Sequence, residues 1–244
     1  MGRIESTPAG QAVAAAPASL TTPTSASTSQ TLRDGRTVHL IGLGGRTEPL
    51  LHRISVQLDD AADAVTAFWG PGWPREIVVV VTGTDAQFAE VGGGDSRTAA
   101  TTTAQRIMFA PGATSMSDPS LRIVLRHELF HYAVRADTAA DAPRWLTEGV
   151  ADFVARPQTP PRPDVTAARI PTDAELSGPD RAWAYDRAWW FSRFVADTYG
   201  TAALRKLYVR ACGHGHPGVA VAVRDTLGTD LAALLTGWRQ WFTG

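Results

Sequence analysis

The sequence predicts an α+β fold: a small mixed β-sheet with helices, followed by a mainly helical C-terminal lobe. Three observations carry that expectation. Residues 76–81 form a nearly continuous, valine-rich apolar run, the mark of a strand covered on both faces. The segments on either side of it alternate as strand, helix, strand and strand. Beyond residue 117 the apolar positions recur at helical spacing almost to the end of the chain.

Taken in order, residues 1–34 stand apart. Residues 6–32 carry no charge and consist mostly of Ala, Ser, Thr, Pro and Gln. Such a stretch buries too little apolar surface to offset its ordering entropy, so it reads as a disordered tail or linker. The folded domain is expected over 35–244, with order beginning near Arg36. Residues 37–43 (TVHLIGL) read as a strand ended by Gly44 and Gly45. Residues 48–69 have helical spacing, with Leu51, Ile54, Leu58, Ala62, Val65 and Phe68 on one face. The run Gly70-Pro71-Gly72-Trp73-Pro74 breaks that helix. A short helix is expected over 85–90, a mobile Gly/Ser/Thr-rich loop over 92–105, and a short strand over 106–110.

Ser117-Asp118-Pro119 announces the next helix, with a capping residue followed by proline at an early position. That helix should run over 119–135. Further helices are expected over 143–155, 181–199, 202–211, 218–227 and 230–242, with an irregular proline-rich segment over 156–173. The helix that begins at 119 falls where the sheet half meets the helical half.

Composition narrows the function classes. The 244 residues carry a net charge of −1 and 44% apolar residues. That composition supports a packed core and lacks the basic excess of a nucleic-acid-binding protein. The single cysteine, Cys212, excludes an intramolecular disulfide and a CxxC metal site. It reads as a small buried apolar residue. No stretch approaches the roughly 20 apolar residues of a membrane span. The first residues, Met-Gly-Arg-Ile-Glu, lack the apolar region of a signal peptide. The compartment is therefore not readable. Ser/Thr/Pro/Ala tails often tether exported bacterial domains. One expectation is an extracytoplasmic or membrane-tethered location with its anchor outside this chain, and the other is a tail without a role.

Chemistry concentrates in His127-Glu128-Leu129-Phe130-His131. On a helix, positions four apart share a face, so both imidazoles can point at one spot. Zinc accepts imidazole nitrogen at about 2.0–2.1 Å. Glu128 lies beside such a metal rather than on it, where it can take a proton from metal-activated water. The pattern alone is moderately specific, because two core histidines with backbone partners would read the same way. A hydrolytic zinc site needs a third protein ligand. Asp137, six residues after His131, is one candidate. It would need a glycine three residues after His131 for the chain to turn back, and Val134 stands there. His214 and His216 could reach a metal from a distance, but their Gly-rich surroundings fix no geometry.

Downstream, residues 143–153 read PRWLTEGVADF. HExxH followed within about twenty residues by W-L-x-E-G-x-A-D resembles the gluzincin zinc peptidases, most closely the peptidase MA-like domains of bacteria. The resemblance covers roughly residues 75–205 and is specific at the zinc motif and loose elsewhere. It implies a zincin-like fold with the metal in a cleft between the lobes. It also implies that Glu148 is the third zinc ligand, with His127 and His131, and that Glu128 is the general base. Asp152, one turn after Glu148, is implied as the carboxylate that accepts the second ring N–H of His127, which would fix its tautomer. Residues 184–200 are similar to a further stretch of the family. They make Tyr185 a candidate donor to the oxyanion, against the alternative that it only packs among Trp183, Trp189, Trp190 and Phe191. Residues 106–110 are implied as the sheet edge along which an extended peptide pairs.

The function expected is zinc-dependent hydrolysis of peptide bonds in a peptide or protein substrate. Two rival expectations remain. One is a non-catalytic zinc-containing binding module of the same fold. The other is a helical interaction protein whose HExxH is accidental.

Overall fold

The computed structural model describes residues 25–90, 98–158 and 168–242. The sheet has five strands: β1 (Ser25–Thr31), β2 (Thr37–Leu43), β3 (Glu76–Thr82), β4 (Ala100–Thr102) and β5 (Ile107–Phe109). Their order across the sheet is β1-β2-β3-β5-β4. β2, β3 and β5 run parallel, while β1 and β4 pair antiparallel at the two edges. The mixed sheet and the helical second half agree with the α+β expectation.

β3 explains its own sequence. Ile77, Val79 and Val81 face the main core, and Val80 faces a smaller cluster with Phe88, Met108 and Ala110. Both faces are covered, so the strand has no polar alternation. The main core is completed by α1 (Glu48–Ser55), α2 (Leu58–Trp69) and α4 (Asp118–Val134). Phe88 comes from α3 (Asp85–Glu90), and a short 3-10 turn (Pro111–Ser115) leads from β5 into α4.

Four expectations need correction. Residues 48–69 are two helices rather than one. At Gln57 the amide bond shifts from the fourth preceding residue to the third, Ile54, and the Gln57 side chain donates to the Arg53 carbonyl at 3.1 Å. No Gly or Pro marks the break, and both halves bury apolar faces in the same core. Next, β1 lies inside the segment expected to be a tail. It is a polar strand that pairs residue by residue with β2 over Ser25–Thr31, and residues 1–24 lie outside the described residues. The segment read as a loop over 92–105 contains β4, while 91–97 lie outside the described residues. Finally, residues 107–109 are an interior strand, because β4 covers their outer side. The sheet edge beside the cleft is Ala100–Thr102.

The second half comprises α5 (Arg144–Ala155), α6 (Asp173–Ser177), α7 (Arg181–Tyr199), α8 (Thr201–Cys212), α9 (Val219–Leu227) and α10 (Leu231–Trp241). α5 lies between α4 and α7. Its closest approach to α7 is at Gly149, where a Cβ would stand 2.4 Å from the Ala188 carbonyl oxygen. Behind it, Phe191 meets Trp145 and Trp238 edge-on, at ring separations of 4.9 and 5.2 Å. Among the described residues no helix is long and apolar enough to cross a membrane.

Candidate metal centre

The site is assembled from α4, α5 and β4. Helix α4 starts where Ser117 caps it, its hydroxyl accepting from the Ser120 amide at 3.3 Å, with proline in the first turn. Its inward face carries Leu121, Leu125 and Leu129, all fully buried. That packing fixes the helix and aims His127 and His131 together into a cleft of about 990 Å³. Helix α5 buries Trp145, Leu146 and Val150 and presents Glu148 to the same cleft.

His127 Nε2 lies 3.0 Å from His131 Nε2 and 3.1 Å from Glu148 Oε2, and His131 Nε2 lies 3.4 Å from that same oxygen. Among the described residues this is the group of three whose donor atoms converge closely enough to hold a metal ion. Four ligands at about 2.05 Å around a tetrahedral ion are spaced roughly 3.3 Å apart. The three separations fit one face of that tetrahedron, and two imidazoles with one carboxylate are a donor set that suits zinc.

His127 is oriented from behind. Its Nδ1–H donates to Asp152 Oδ1 at 2.9 Å, which leaves the Nε2 lone pair facing the cleft. Asp152 is buried, and its other oxygen meets Arg156 Nη2 at 2.6 Å. Arg156 in turn donates to Asp186 at 2.6 Å. Burial disfavours the His127 imidazolium, but the Asp152 and Glu148 hydrogen bonds outweigh it and raise its pKa well above the ordinary range. Burial likewise opposes the Glu148 carboxylate, yet the nearby His131 and His127 hold its pKa well below the usual value. Both shifts have one sense: the cluster favours positive charge at its centre.

Glu128 does not join the triangle. Its carboxylate is buried, and Oε2 accepts from the Thr102 hydroxyl at 2.7 Å. The same hydroxyl lies 3.0 Å from the Glu128 carbonyl oxygen. Tyr185 lines the cleft with its ring centroid 6.5 Å from that of His127. Burial, aided by the negative field of Glu148, pushes its hydroxyl up to about 12, so it stays protonated and able to donate.

The other candidates lie elsewhere. Asp137 is exposed past the end of α4 and outside the cluster. His214 is 3.0 Å from the Ala136 carbonyl and His216 is 3.4 Å from Asp141, both remote from the triad. Cys212 is buried, and burial pushes its thiol up to about 12. Sequence reasoning missed Thr102, Arg144 and Arg156. Three successive β-branched residues, Thr101 to Thr103 with the strand at its start, were the available signal for β4.

No family model and no curated protein sequence matches the chain. The fold is similar to that of solved zinc-peptidase structures. Aminopeptidase A of Legionella pneumophila, solved with aspartic acid, superposes with a TM-score of 0.57 over 88% of this chain at 13% identity. An M1 zinc metallopeptidase from Deinococcus radiodurans superposes with a TM-score of 0.50 over 90% of it at 17% identity. This chain spans 28% and 51% of those two chains. At such identities the likeness speaks to the fold: a mixed sheet and helices arranged as in M1 peptidases.

Proposed function

We propose that this protein is a zinc-dependent peptidase in which His127, His131 and Glu148 hold the metal and Glu128 is the general base. The observation that carries the reading is the convergence of those three donor atoms to within 3.4 Å, with the Glu128 carboxylate beside them and outside the set. The similarity of the fold to zinc peptidases supports the same reading. A structural zinc site is closed by four protein ligands, whereas a hydrolytic one uses three and leaves a position open.

Zinc in such a donor set supplies Lewis acidity, which lowers the pKa of water to about 7 and polarises a carbonyl. The chain's own groups do the rest. Thr102 pins Glu128 Oε2, so Oε1 takes the proton from the attacking water and later delivers it to the leaving amide nitrogen. Asp152 keeps the His127 ring in the tautomer protonated at Nδ1, whose Nε2 lone pair is free to ligate. Tyr185 donates its hydroxyl proton toward the carbonyl oxygen as negative charge develops there. The substrate is a peptide or protein.

Metal content by mass spectrometry, together with cleavage of a peptide library, tests the proposal. About one zinc per chain is expected in wild type, with loss in His131→Ala and Glu148→Ala. Glu128→Gln should keep the metal and lose cleavage. Zinc retained by wild type with no cleavage of any peptide would favour a binding module. Absence of stoichiometric zinc after reconstitution would overturn the reading.

A further inference from the structure

The cleft carries more positive charge than its metal chemistry requires. Its lining includes Arg135, Arg144, Arg156 and Arg181, against two carboxylates among the described residues, Glu128 and Glu148. Both carboxylates are already engaged, Glu148 with the two histidines and Glu128 with Thr102. Arg156 is neutralised by Asp152 and Asp186, and Arg181 is partnered as well. Arg135 and Arg144 are not balanced in this way. Arg135 is held by the Ala104 carbonyl at 2.7 Å, the Tyr132 carbonyl and the face of the Tyr132 ring, which orient the guanidinium, and among the described residues no carboxylate pairs with it. Arg144 Nη1 donates to the neutral Ser177 hydroxyl at 2.7 Å. Its Nε stands 3.9 Å from Glu148, a carboxylate whose other oxygen faces the histidines. The Arg144 side chain remains 41% exposed.

The helix dipole does not explain Arg144. It is the first residue of α5, where the helix dipole favours acidic side chains and disfavours basic ones, and no acidic residue occupies that first turn. The guanidinium is therefore placed at the rim of the cleft at some cost to the helix. Guanidinium groups recognise carboxylates through paired, charge-assisted hydrogen bonds.

We propose that the cleft binds carboxylate-bearing peptides, with Arg144 and Arg135 as the specificity-determining residues. The carboxylate is either an acidic side chain near the scissile bond or the peptide's C-terminus. The inference rests on the peptidase reading for its choice of ligand.

The test measures binding separately from cleavage. Zinc-loaded protein carrying Glu128→Gln is titrated into fluorescein-labelled octapeptides of neutral sequence, and anisotropy gives the Kd. In one arm both ends are capped and a single Glu, Gln or Lys is walked through each position. In the other the all-neutral peptide has a free or an amidated C-terminus. At one or two positions Glu should bind about tenfold to a hundredfold tighter than Gln, and Lys should bind weaker still. If the terminus is the source, that gain appears between the free and amidated peptides instead. Arg144→Ala should erase most of the difference, and Arg144→Lys should keep only part of it. Because Arg144 neighbours Glu148, Arg135→Ala is measured as well; it should reduce the same difference with zinc content unchanged. Equal affinity for Glu, Gln and Lys at every position, with no gain from a free C-terminus, overturns the proposal. So does a preference that survives both substitutions, or a failure to bind any peptide. Wild-type protein then assays the best-bound peptide: tight, carboxylate-dependent binding without cleavage sinks the peptidase reading alone, and cleavage indifferent to carboxylates sinks this inference alone.

Discussion

Gly149 is where two helices touch backbone to backbone, and Gly149→Ala tests how rigidly that contact sets the metal site. A Cβ there would lie 2.4 Å from the Ala188 carbonyl oxygen, 2.7 Å from its carbon and 2.9 Å from Ser192 Oγ. Ordinary contact begins near 3.4 Å, so α5 and α7 must separate by about 1.0 Å (3.4 − 2.4) at this point. The nearest atoms are main chain in the interior of α7, and no side-chain rotation relieves them. Overpacking of this kind costs about 1–3 kcal/mol. For a chain of this size each kcal/mol lowers Tm by about 2–4 °C. Glu148 is the adjacent residue, and a shift of that size is several times the roughly 0.2 Å tolerance of a metal–ligand distance. The variant should melt about 2–12 °C lower by calorimetry in excess chelator. It should also bind zinc at least tenfold more weakly in a competition titration. Ser192→Gly added to it should restore little, because the tightest contact is with a carbonyl. An unchanged Tm together with unchanged zinc affinity would refute the reasoning that this contact is rigid and coupled to Glu148.

Four further outcomes are expected. Asp152→Asn should weaken zinc binding by about 10–100-fold in the same titration, because the His127 tautomer loses its anionic partner and Arg156 loses one of its two carboxylate partners. Thr102→Val should lower kcat about tenfold or more with little change in KM or zinc content, and Thr102→Ser should recover most of it, since it is the hydroxyl that holds Glu128. The Cys212 thiol should resist alkylation at pH 8 in the folded protein and react at once in denaturant, as mass spectrometry would record. Glu175 is held below the usual carboxylate range by Arg169, the Thr172 amide and Arg187. A depressed folded pKa contributes stability above the unfolded value, which is lost as pH falls through the folded one. The Tm gap between wild type and Glu175→Gln should therefore be open at pH 7 and close progressively below about pH 4.5.

Much of the site was readable because its spacing is local. Two histidines four apart on a capped helix need only helical periodicity to share a face, whereas Glu148 and Asp152 were singled out by the resemblance of residues 143–153 to a known motif. What escaped was set by distant partners. The strand Ser25–Thr31 has almost no apolar residues, so nothing in its composition distinguishes it from a tail. It is ordered by pairing with β2, whose other side rests on β3. The break at Val56 and Gln57 lacks a helix breaker and follows from how α1 and α2 each pack on the core. The threonine run around Thr102 hinted at a strand, but its position beside the cleft is set by its pairing with β5. One miss was avoidable: Thr172 and Glu175 form a capping box, a pattern visible in sequence, and it starts α6 within a segment read as irregular.

The three donor residues and the side chains that hold Glu128 and His127 come from one contiguous stretch of chain. Thr102 reaches Glu128 across 26 positions and His127 reaches Asp152 across 25. Closure entropy grows only slowly with loop length, so these spans cost little less than the longer one that pairs β2 with β3. The three converging donors and their two supporting side chains thus lie within residues 102–156, and the flanking elements, α7 at Gly149 among them, hold that stretch in register.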